Sequence, residues 1–324
     1  MDALSKSKFI LSAAQTFICS IENINPHNKI FFICRFLPFN LILSEAPRPY
    51  NKFLLAKEDL FAMEIINLNY VYNQNTVYEK KALDNINLKL DAGKIIGLIG
   101  KSGAGKSTLA QNLCGLIKPT SGKILTGNKK IGMVFQFPEH QIFEMTVKKE
   151  IEFAIKNKNA SEKIILDALY AVGLTDDYLE KNPFELSGGE KRKVAIASIL
   201  VMQPEILILD EPTVGLDYKT QQNLLSYIKQ IHRQKQITII IISHDVNAIA
   251  QLTEKTIIMD AGKIIYYGDT AQAFRNENKN LVRMPDTKKL INLLNENGFQ
   301  IPDGIIKIDD AAEFIAKRLK EKRN

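Results

Sequence analysis

From Met63 onward the chain alternates between stretches with a two-residue hydrophobic period and stretches with a helical one. Glu64 to Tyr72 opens as a strand. Ala82-Leu83-Asp84-Asn85-Ile86-Asn87-Leu88-Lys89-Leu90 alternates apolar and polar, as a half-buried strand does, and Asp91-Ala92-Gly93 reads as a turn. Ile95 to Ile99 is an apolar run short enough for a buried strand, and Leu109 to Cys114 reads as a helix. Lys130 to Phe135 is another strand. Between Phe137 and Ser187 the pattern turns helical, over Thr146–Ala154, Ala160–Val172 and Asp176–Lys181. Ile206 to Leu209 is fully apolar and Ile237 to Ile242 is apolar but for Thr238, as expected of central parallel strands covered on both faces. A helix over Lys219–Gln234 separates them. Ile257 to Gly268 reads as an antiparallel hairpin. Two helices close the chain, Pro285–Asn297 and Asp310–Glu321; Asp310 with Glu313 suggests a capping box. Ala311, Phe314, Ile315 and Leu319 then line one helical face.

One junction in this pattern carries chemistry. Between the strand at Ile95–Ile99 and the helix at Leu109 lies Gly100-Lys101-Ser102-Gly103-Ala104-Gly105-Lys106-Ser107-Thr108, which fills G-x-x-x-x-G-K-[ST]. Strand, glycine-rich loop and helix together make a phosphate cradle. Glycines let backbone N–H groups curl around phosphate oxygens, and the helix aims its positive end at the same anion. Lys106 supplies a charge for the β- and γ-phosphates, and Ser107 is placed to ligate Mg²⁺.

Two further motifs narrow the chemistry to nucleotide hydrolysis. The strand at Leu207–Leu209 ends in Asp210 and Glu211. Asp210 is the candidate for the Mg²⁺ shell, and Glu211 stands one residue further, where a carboxylate can polarise an attacking water. Leu186-Ser187-Gly188-Gly189-Glu190 opens another helix. Ser187 caps it, and the glycines leave N–H groups exposed, which makes a second anion site. One nucleotide has one γ-phosphate, already held by its own loop, so the second site is explained if it serves a nucleotide held by another subunit.

This pentapeptide, between a phosphate loop and an Asp-Glu strand end, resembles the ATP-binding-cassette family over Met63 to about Gly268. The resemblance implies a RecA-like P-loop α/β core with an antiparallel edge sheet, a helical subdomain and a small C-terminal helical dimerisation unit. It makes Gln136 the Q-loop glutamine, which touches Mg²⁺ and water and faces the membrane partner. Pro212 to Asp217 resembles the D-loop, with Val214 and Tyr218 where Ala and Pro are commoner. His244, in Ser243-His244-Asp245, resembles the switch histidine on the γ-phosphate, and Tyr72 the aromatic that stacks on adenine, with Tyr70 as the lesser candidate. Glu190 replaces the commoner glutamine. Val134 to Phe143 and the C-terminal stretch from Met284 to Ile315 resemble energy-coupling-factor importer ATPases and their cobalt-importer relatives, and the longer loop at Asn75–Leu83 the second of two paralogous ATPases. Ile155 to Asn159 departs from the Gly/Pro-rich segment usual there.

The expected residues are therefore Glu211, His244, Gln136 and Lys106 for catalysis and Ser107, Gln136 and Asp210 for metal. Those expected to bind nucleotide are Tyr72, residues 100–108, Ser187, Gly188, Gly189 and Asp217. The implied partners are a paralogous ATPase (a homodimer being the alternative), a transmembrane T component and a substrate-binding membrane S component. The chain would work on the cytoplasmic side of the cell membrane, driving uptake of a vitamin or other micronutrient; a cobalt or nickel importer is the alternative. A net charge of +7 allows a rival, a cassette protein acting on ribosomes or DNA, but each motif occurs once and the helical insertion is short, so no nucleic acid is expected. Three cysteines without metal spacing fit a reducing compartment. The domains are expected at 1–62, 63–268 (helical subdomain about 137–190) and 269–324. Residues 1–62 have weak periodicity and short apolar runs broken by Pro26, Pro38, Pro47 and Pro49, and read as an extension upstream of a native start at Met63.

Overall fold

The computed structural model describes residues 61–137, 142–155, 161–275 and 282–321. The strand expected at Met63 begins at Phe61: β1 (Phe61–Tyr72) already includes Ala62, whose side chain is buried, and the Lys129 ammonium donates to the Phe61 carbonyl at 2.7 Å. β1 pairs antiparallel with β2 (Lys80–Asp91). Each carries an N-x-N sequence around a buried apolar residue, and the two meet at Leu68 and Ile86. Asn67 and Asn85 take positive φ there, and the Asn87 and Asn69 side chains accept from their backbone N–H groups at 2.9 Å. The asparagines supply inside the bulge the hydrogen bonds that the ladder drops.

β3 (Ile95–Gly100) leads into α1 (Lys106–Leu113). β4 (Ser121–Leu125) then adds to the other edge of β1 and completes a three-stranded sheet. The sequence pattern did not announce β4: four of its five residues are exposed, so it carries no apolar alternation. β5 (Ile131–Val134) precedes the helical region, which holds α2 (Val147–Ala154), α3 (Glu162–Ala171) and α4 (Gly188–Leu200). Helix was also expected over Asp176–Lys181, but only a 3-10 turn forms, over Asp176–Tyr178. The carbonyls of Leu179 and Lys181 accept from Lys148 and Val147 of α2 instead of continuing a helix, and Pro183 follows.

β6 (Ile206–Asp210), α5 (Tyr218–Lys235) and β7 (Thr238–Ile242) rebuild the core, with every residue of β6 and β7 buried. α6 (Val246–Leu252) was not legible, being seven residues long; Asp245 caps it by accepting from the N–H groups of Asn247 and Ala248. β8 (Lys255–Asp260) and β9 (Lys263–Asp269) form the expected antiparallel hairpin, followed by α7 (Thr270–Ala273). The six-stranded sheet runs β5-β6-β7-β3-β8-β9 and is parallel except at β9. Alternate residues of its strands enter two cores. Leu207, Leu209, Ile239 and Ile241 pack with the helices, and Ile206, Ile208, Ile240 and Ile242 with α1 and the three-stranded sheet.

The C-terminal region holds α8 (Asp286–Glu296) and α9 (Ile308–Glu321). The helix expected from Asp310 starts two residues earlier, so Asp310 lies within its first turn rather than at its cap. Ala311, Phe314 and Ile315 pack on Ile291 and Ile301, while Leu319 stays exposed.

Candidate nucleotide site

The phosphate loop is shaped by steric necessity at two glycines. Gly100 ends β3 beside Met259 of β8, and a Cβ there would lie 2.2 Å from the Met259 carbonyl oxygen. Gly105 caps α1 in the left-handed conformation at φ 98°, where a Cβ would lie 2.6 Å from the Ala82 carbonyl oxygen. Ala104 is buried beneath the loop, while Lys101, Ser102 and Gly103 are exposed. The Lys106 ammonium folds back into the loop and donates to the carbonyls of Gly100 at 2.9 Å and Lys101 at 3.1 Å. That fixes a cation at the N-terminal end of α1, an arrangement suited to anionic oxygen.

Thr108 connects this loop to the adenine-side candidate. The Tyr72 hydroxyl lies 3.0 Å from Thr108 Oγ1, and the Tyr70 ring meets Tyr72 edge-on at 4.8 Å between centroids. Tyr72 therefore ends β1 beside the first turn of α1.

β6 brings the acidic pair to the loop. Asp210 is buried, with the Ser107 hydroxyl near its carboxyl. Burial pushes its carboxyl above the ordinary value, and the neighbouring Glu211 charge pushes the same way; the Ser107 hydrogen bond and the Lys106 charge oppose them. A buried carboxylate that resists ionisation, with a hydroxyl 103 positions away in sequence aimed at it, is a donor set suited to a hard cation. Among the described residues no cluster of three His, Cys, Asp or Glu side chains could hold a metal alone. Such a cation would complete its shell with substrate phosphates and water.

Glu211 takes φ 49°, an uncommon conformation for a residue with a side chain, and its N–H donates to the Ile242 carbonyl at 2.9 Å. This twist turns its carboxylate toward the end of the neighbouring strand β7. There Oε2 lies 2.9 Å from His244 Nδ1 and accepts from the His244 backbone N–H at 3.4 Å. The Glu211 side chain is 12% exposed and that of His244 70% exposed, so the carboxylate is sheltered and the imidazole is presented outward.

The remaining candidates stand on other elements. Ser187 caps α4 in a reciprocal box. Its hydroxyl and N–H both donate to Glu190 Oε2, at 2.6 and 2.9 Å, and the Glu190 N–H reaches back to Ser187 Oγ at 3.4 Å. The Tyr178 hydroxyl donates to Glu190 Oε1 at 2.6 Å. The Ser187 hydroxyl, then Tyr178, hold the Glu190 carboxyl down to about 2. Gly188 is exposed with open space around it, whereas Gly189 lies against Thr220. Asp217 caps α5 by accepting from the Thr220 N–H at 3.1 Å and its hydroxyl at 2.6 Å. Gln136 follows β5, next to β6 in the sheet; its carbonyl accepts from Arg192. Pro138, Glu139, His140 and Gln141, part of the resemblance drawn around Gln136, lie outside the described residues.

The sequence of this arrangement matches the family described as ABC transporter over residues 83–214. It is 43% identical over 279 residues to the energy-coupling factor transporter ATP-binding protein EcfA2 of Clostridium tetani (strain Massachusetts / E88), covering 79% of this chain and 96% of that protein. The chain belongs to the ATP-binding proteins of energy-coupling factor transporters. The EcfA2 of Clostridium perfringens (strain 13 / Type A) is 39% identical over 276 residues, covering 78% and 97%. Among solved structures, cbiO1 from Clostridium perfringens, part of the ABC transporter complex cbiONQ, aligns with a TM-score of 0.62 at 32% identity, covering 74% of this chain and 97% of that one. The ATP-binding cassette MJ0796, a dimer bound to ADP and Pi, aligns with a TM-score of 0.57 at 27% identity, covering 64% and 98%. The fold is thus that of an ABC-family ATP-binding cassette, and the activity ATP hydrolysis.

Sequence reasoning passed over Arg192, which reaches two of the loops at this site. It also missed the contact between the C-terminal region and the switch segment. The Asn247 amide donates to Asp286 Oδ2 at 2.9 Å and accepts from the Asp286 N–H at 2.8 Å. Asn247 lies three residues after His244, so α8 is tied to the helix that follows the imidazole. A cavity of about 360 Å³ lies between them, lined by Thr213, Val214, Gln221, His244, Asp245 and Arg283 among others. No spacing rule joins Asn247 to Asp286; only the fold does.

Proposed function

We propose that this chain is the ATP-hydrolysing subunit of an energy-coupling-factor importer, held on the cytoplasmic side of the cell membrane and driving uptake of a vitamin or other micronutrient. The observation that carries the reading is the pairing of Glu211 with His244 at the ends of β6 and β7, next to the Lys106 loop. Nucleotide phosphates bind the N–H groups of residues 100–108, with the Lys106 ammonium against the β- and γ-oxygens and Tyr72 under the adenine. Ser107, Asp210 and Gln136 would hold Mg²⁺, which would supply charge neutralisation on the phosphates. Glu211 polarises and accepts a proton from the attacking water. His244, held by the same carboxylate, donates toward the γ-phosphate and orients that water relative to it.

Ser187, Gly188 and Gly189 bind the γ-phosphate of a nucleotide on a second ATPase, so two cassettes close around two nucleotides. The second cassette is a paralogue, with a homodimer as the simpler case, and the α8–α9 region contributes to their association. Exposed aromatic side chains support a membrane partner: Phe137 follows Gln136, and Phe143 and Phe153 pack edge-on at 4.5 Å on the helical region while both stay exposed. No helix among the described residues is long and apolar enough to cross a membrane, so a T component and a substrate-binding S component would supply the pathway. The resemblance carried by Val134 to Phe143 and by Met284 to Ile315 also fits a second reading, a cobalt or nickel importer ATPase. Mild detergent extraction of native membranes, followed by affinity capture of this chain and mass spectrometry, tests both. Recovery of a paralogous ATPase with a T component and a vitamin-binding S component supports the first reading. Recovery with cobalt-importer membrane subunits selects the second, and ribosomal proteins or DNA in place of membrane subunits would overturn both.

A further inference from the structure

Arg192 is the fifth residue of α4, the helix that starts with Ser187-Gly188-Gly189, and it is only 5% exposed. Its guanidinium reaches two loops that are distant in sequence. Nη1 donates to the carbonyls of Pro212 at 2.8 Å and Val214 at 2.7 Å, and Nη2 donates to the carbonyl of Gln136 at 3.2 Å. Gln136 follows β5, Pro212 and Val214 follow β6, and these strands are neighbours paired as far as Val134 with Leu209. Pro212 directly follows Glu211, the residue held at φ 49°. All three acceptors are backbone carbonyls, so the contacts fix the path of the chain rather than the choice of side chain.

We propose that Arg192 is a positioning residue that binds the loop after β5 and the turn after Glu211 to the helix carrying the Ser187 site, so that the three shift as one unit. The inference rests on the reading of Gln136, Glu211 and Ser187 as parts of one nucleotide-driven machine, and it adds the residue that ties them. The planar fork is what suits the task. Two nitrogens at fixed separation serve one loop each, whereas a lysine offers a single nitrogen. A buried guanidinium also needs those carbonyls to offset its lost hydration, so pulling either loop away from α4 leaves charge poorly solvated in the interior. Rotation of α4 therefore drags both loops, and displacement of Gln136 by a partner is felt at Glu211. Arg192 touches no reacting atom; it acts through the backbone on either side of residues that do.

The test is hydrogen–deuterium exchange on the full-length chain in a Glu211→Gln background, with and without ATP and Mg²⁺, comparing Arg192, Arg192→Lys and Arg192→Met. In the parent, ATP should slow exchange in Lys106–Leu113 and, together, in peptides spanning Gln136 and residues 212–217. In both variants the protection of Lys106–Leu113 should persist. The two loop segments should lose their shared response and exchange about tenfold faster or more, since losing hydrogen bonds to a charged group shifts the local opening equilibrium by at least that factor. With Glu211 restored, kcat per ATP-binding molecule should fall by a similar factor while KM for ATP stays within about threefold; referring the rate to titrated binding sites removes the contribution of any unfolded fraction, which would lower apparent kcat at constant KM. Coupled protection retained in Arg192→Met would overturn the proposal. So would the absence of a cooperative melting transition in both variants, which would make Arg192 a folding residue. Failure of ATP to protect Lys106–Leu113 in the parent would instead strike the nucleotide-site reading beneath it.

Discussion

The two anion-binding ends of this molecule are built in opposite ways. The Lys106 loop grows out of a sheet whose central strands are buried, its ammonium donates to the Gly100 and Lys101 carbonyls, Ser107 stands by Asp210, and Glu211 meets His244. The Ser187 end stands on a helix, is exposed, and satisfies itself: its hydroxyl and N–H are spent on Glu190, a carboxylate of its own first turn. The first is a preorganised cradle that can bind nucleotide alone. The second is a capped helix terminus whose donors gain a phosphate only when another molecule brings one. On the function proposed above, the contrast would let one chain hold ATP yet need a second cassette to use it.

Glu211→Gln bears on the first end and should have the largest effect. The amide keeps the shape and the contact to His244 but cannot accept a proton, so turnover should drop by about 10²–10⁴-fold with ATP binding retained. ATP-closed dimers should accumulate on size-exclusion chromatography; near-normal turnover in a phosphate-release assay would remove Glu211 as the base. Lys106→Ala should weaken ATP binding by about two orders of magnitude, as loss of one partner of a hydrogen-bonded charge pair does. Ser187→Arg should leave monomer binding within about threefold, yet block closure by filling the cap with a bulky cation. Equal losses of binding in the two variants, measured by fluorescent-nucleotide titration, would erase the distinction between the ends.

That distinction was largely legible in the sequence because both ends are local motifs. Gly100 to Thr108, Ser187 to Glu190 and the apolar strand ending in Asp210-Glu211 each declare themselves within nine residues. What stayed hidden was of two kinds. Short or exposed elements carry too little periodicity to read, as with β4 at Ser121–Leu125 and α6 at Val246–Leu252. Contacts made across the fold leave no spacing signal at all. Arg192 looks like one more charge on a basic helix until the fold places Gln136, Pro212 and Val214 around it, and Asn247 looks like a surface amide until Asp286 arrives. The positive φ of Glu211 was equally unreadable, since it follows from the strand-end turn and not from residue type.

A smaller effect should follow at the C-terminal region. Leu290, Leu293, Ile308 and Leu319 remain exposed on α8 and α9, an apolar surface that a single chain leaves uncovered. Deleting Pro285–Asn324 should weaken association with the co-expressed partner ATPase by about tenfold while leaving nucleotide binding by the Lys106 loop intact. Loss of the Asn247–Asp286 pair should also loosen the segment after His244, so kcat should fall with it. Sedimentation of the pair at several concentrations reads the association directly, and an unchanged constant would refute the role given to these helices.

The smallest expected effect lies at the Ser187 cap and separates its structural duty from its chemistry. Glu190 is held at about 2 instead of the ordinary 4.5, first by the Ser187 hydroxyl and then by Tyr178. A carboxyl depressed on folding adds stability that is fully present above its unfolded value and is lost as pH falls through the folded one. The window is therefore from about 4.5 down to about 2. Glu190→Gln cannot titrate, and its single amide oxygen cannot replace both carboxylate oxygens. The parent should be the more stable of the two at pH 7 by a modest margin, because the group is largely solvent-screened. The margin should stay constant down to about pH 5 and shrink as pH falls toward about 2, where the folded parent's carboxyl is half protonated. Urea midpoints of both proteins across that range provide the measurement. Midpoints that fall in parallel throughout would mean that the Glu190 charge does not hold the cap. A margin that closes on schedule, with ATP turnover of the Gln variant unchanged at pH 7, would show that the carboxylate serves the helix end while the N–H groups of Gly188 and Gly189 serve the phosphate.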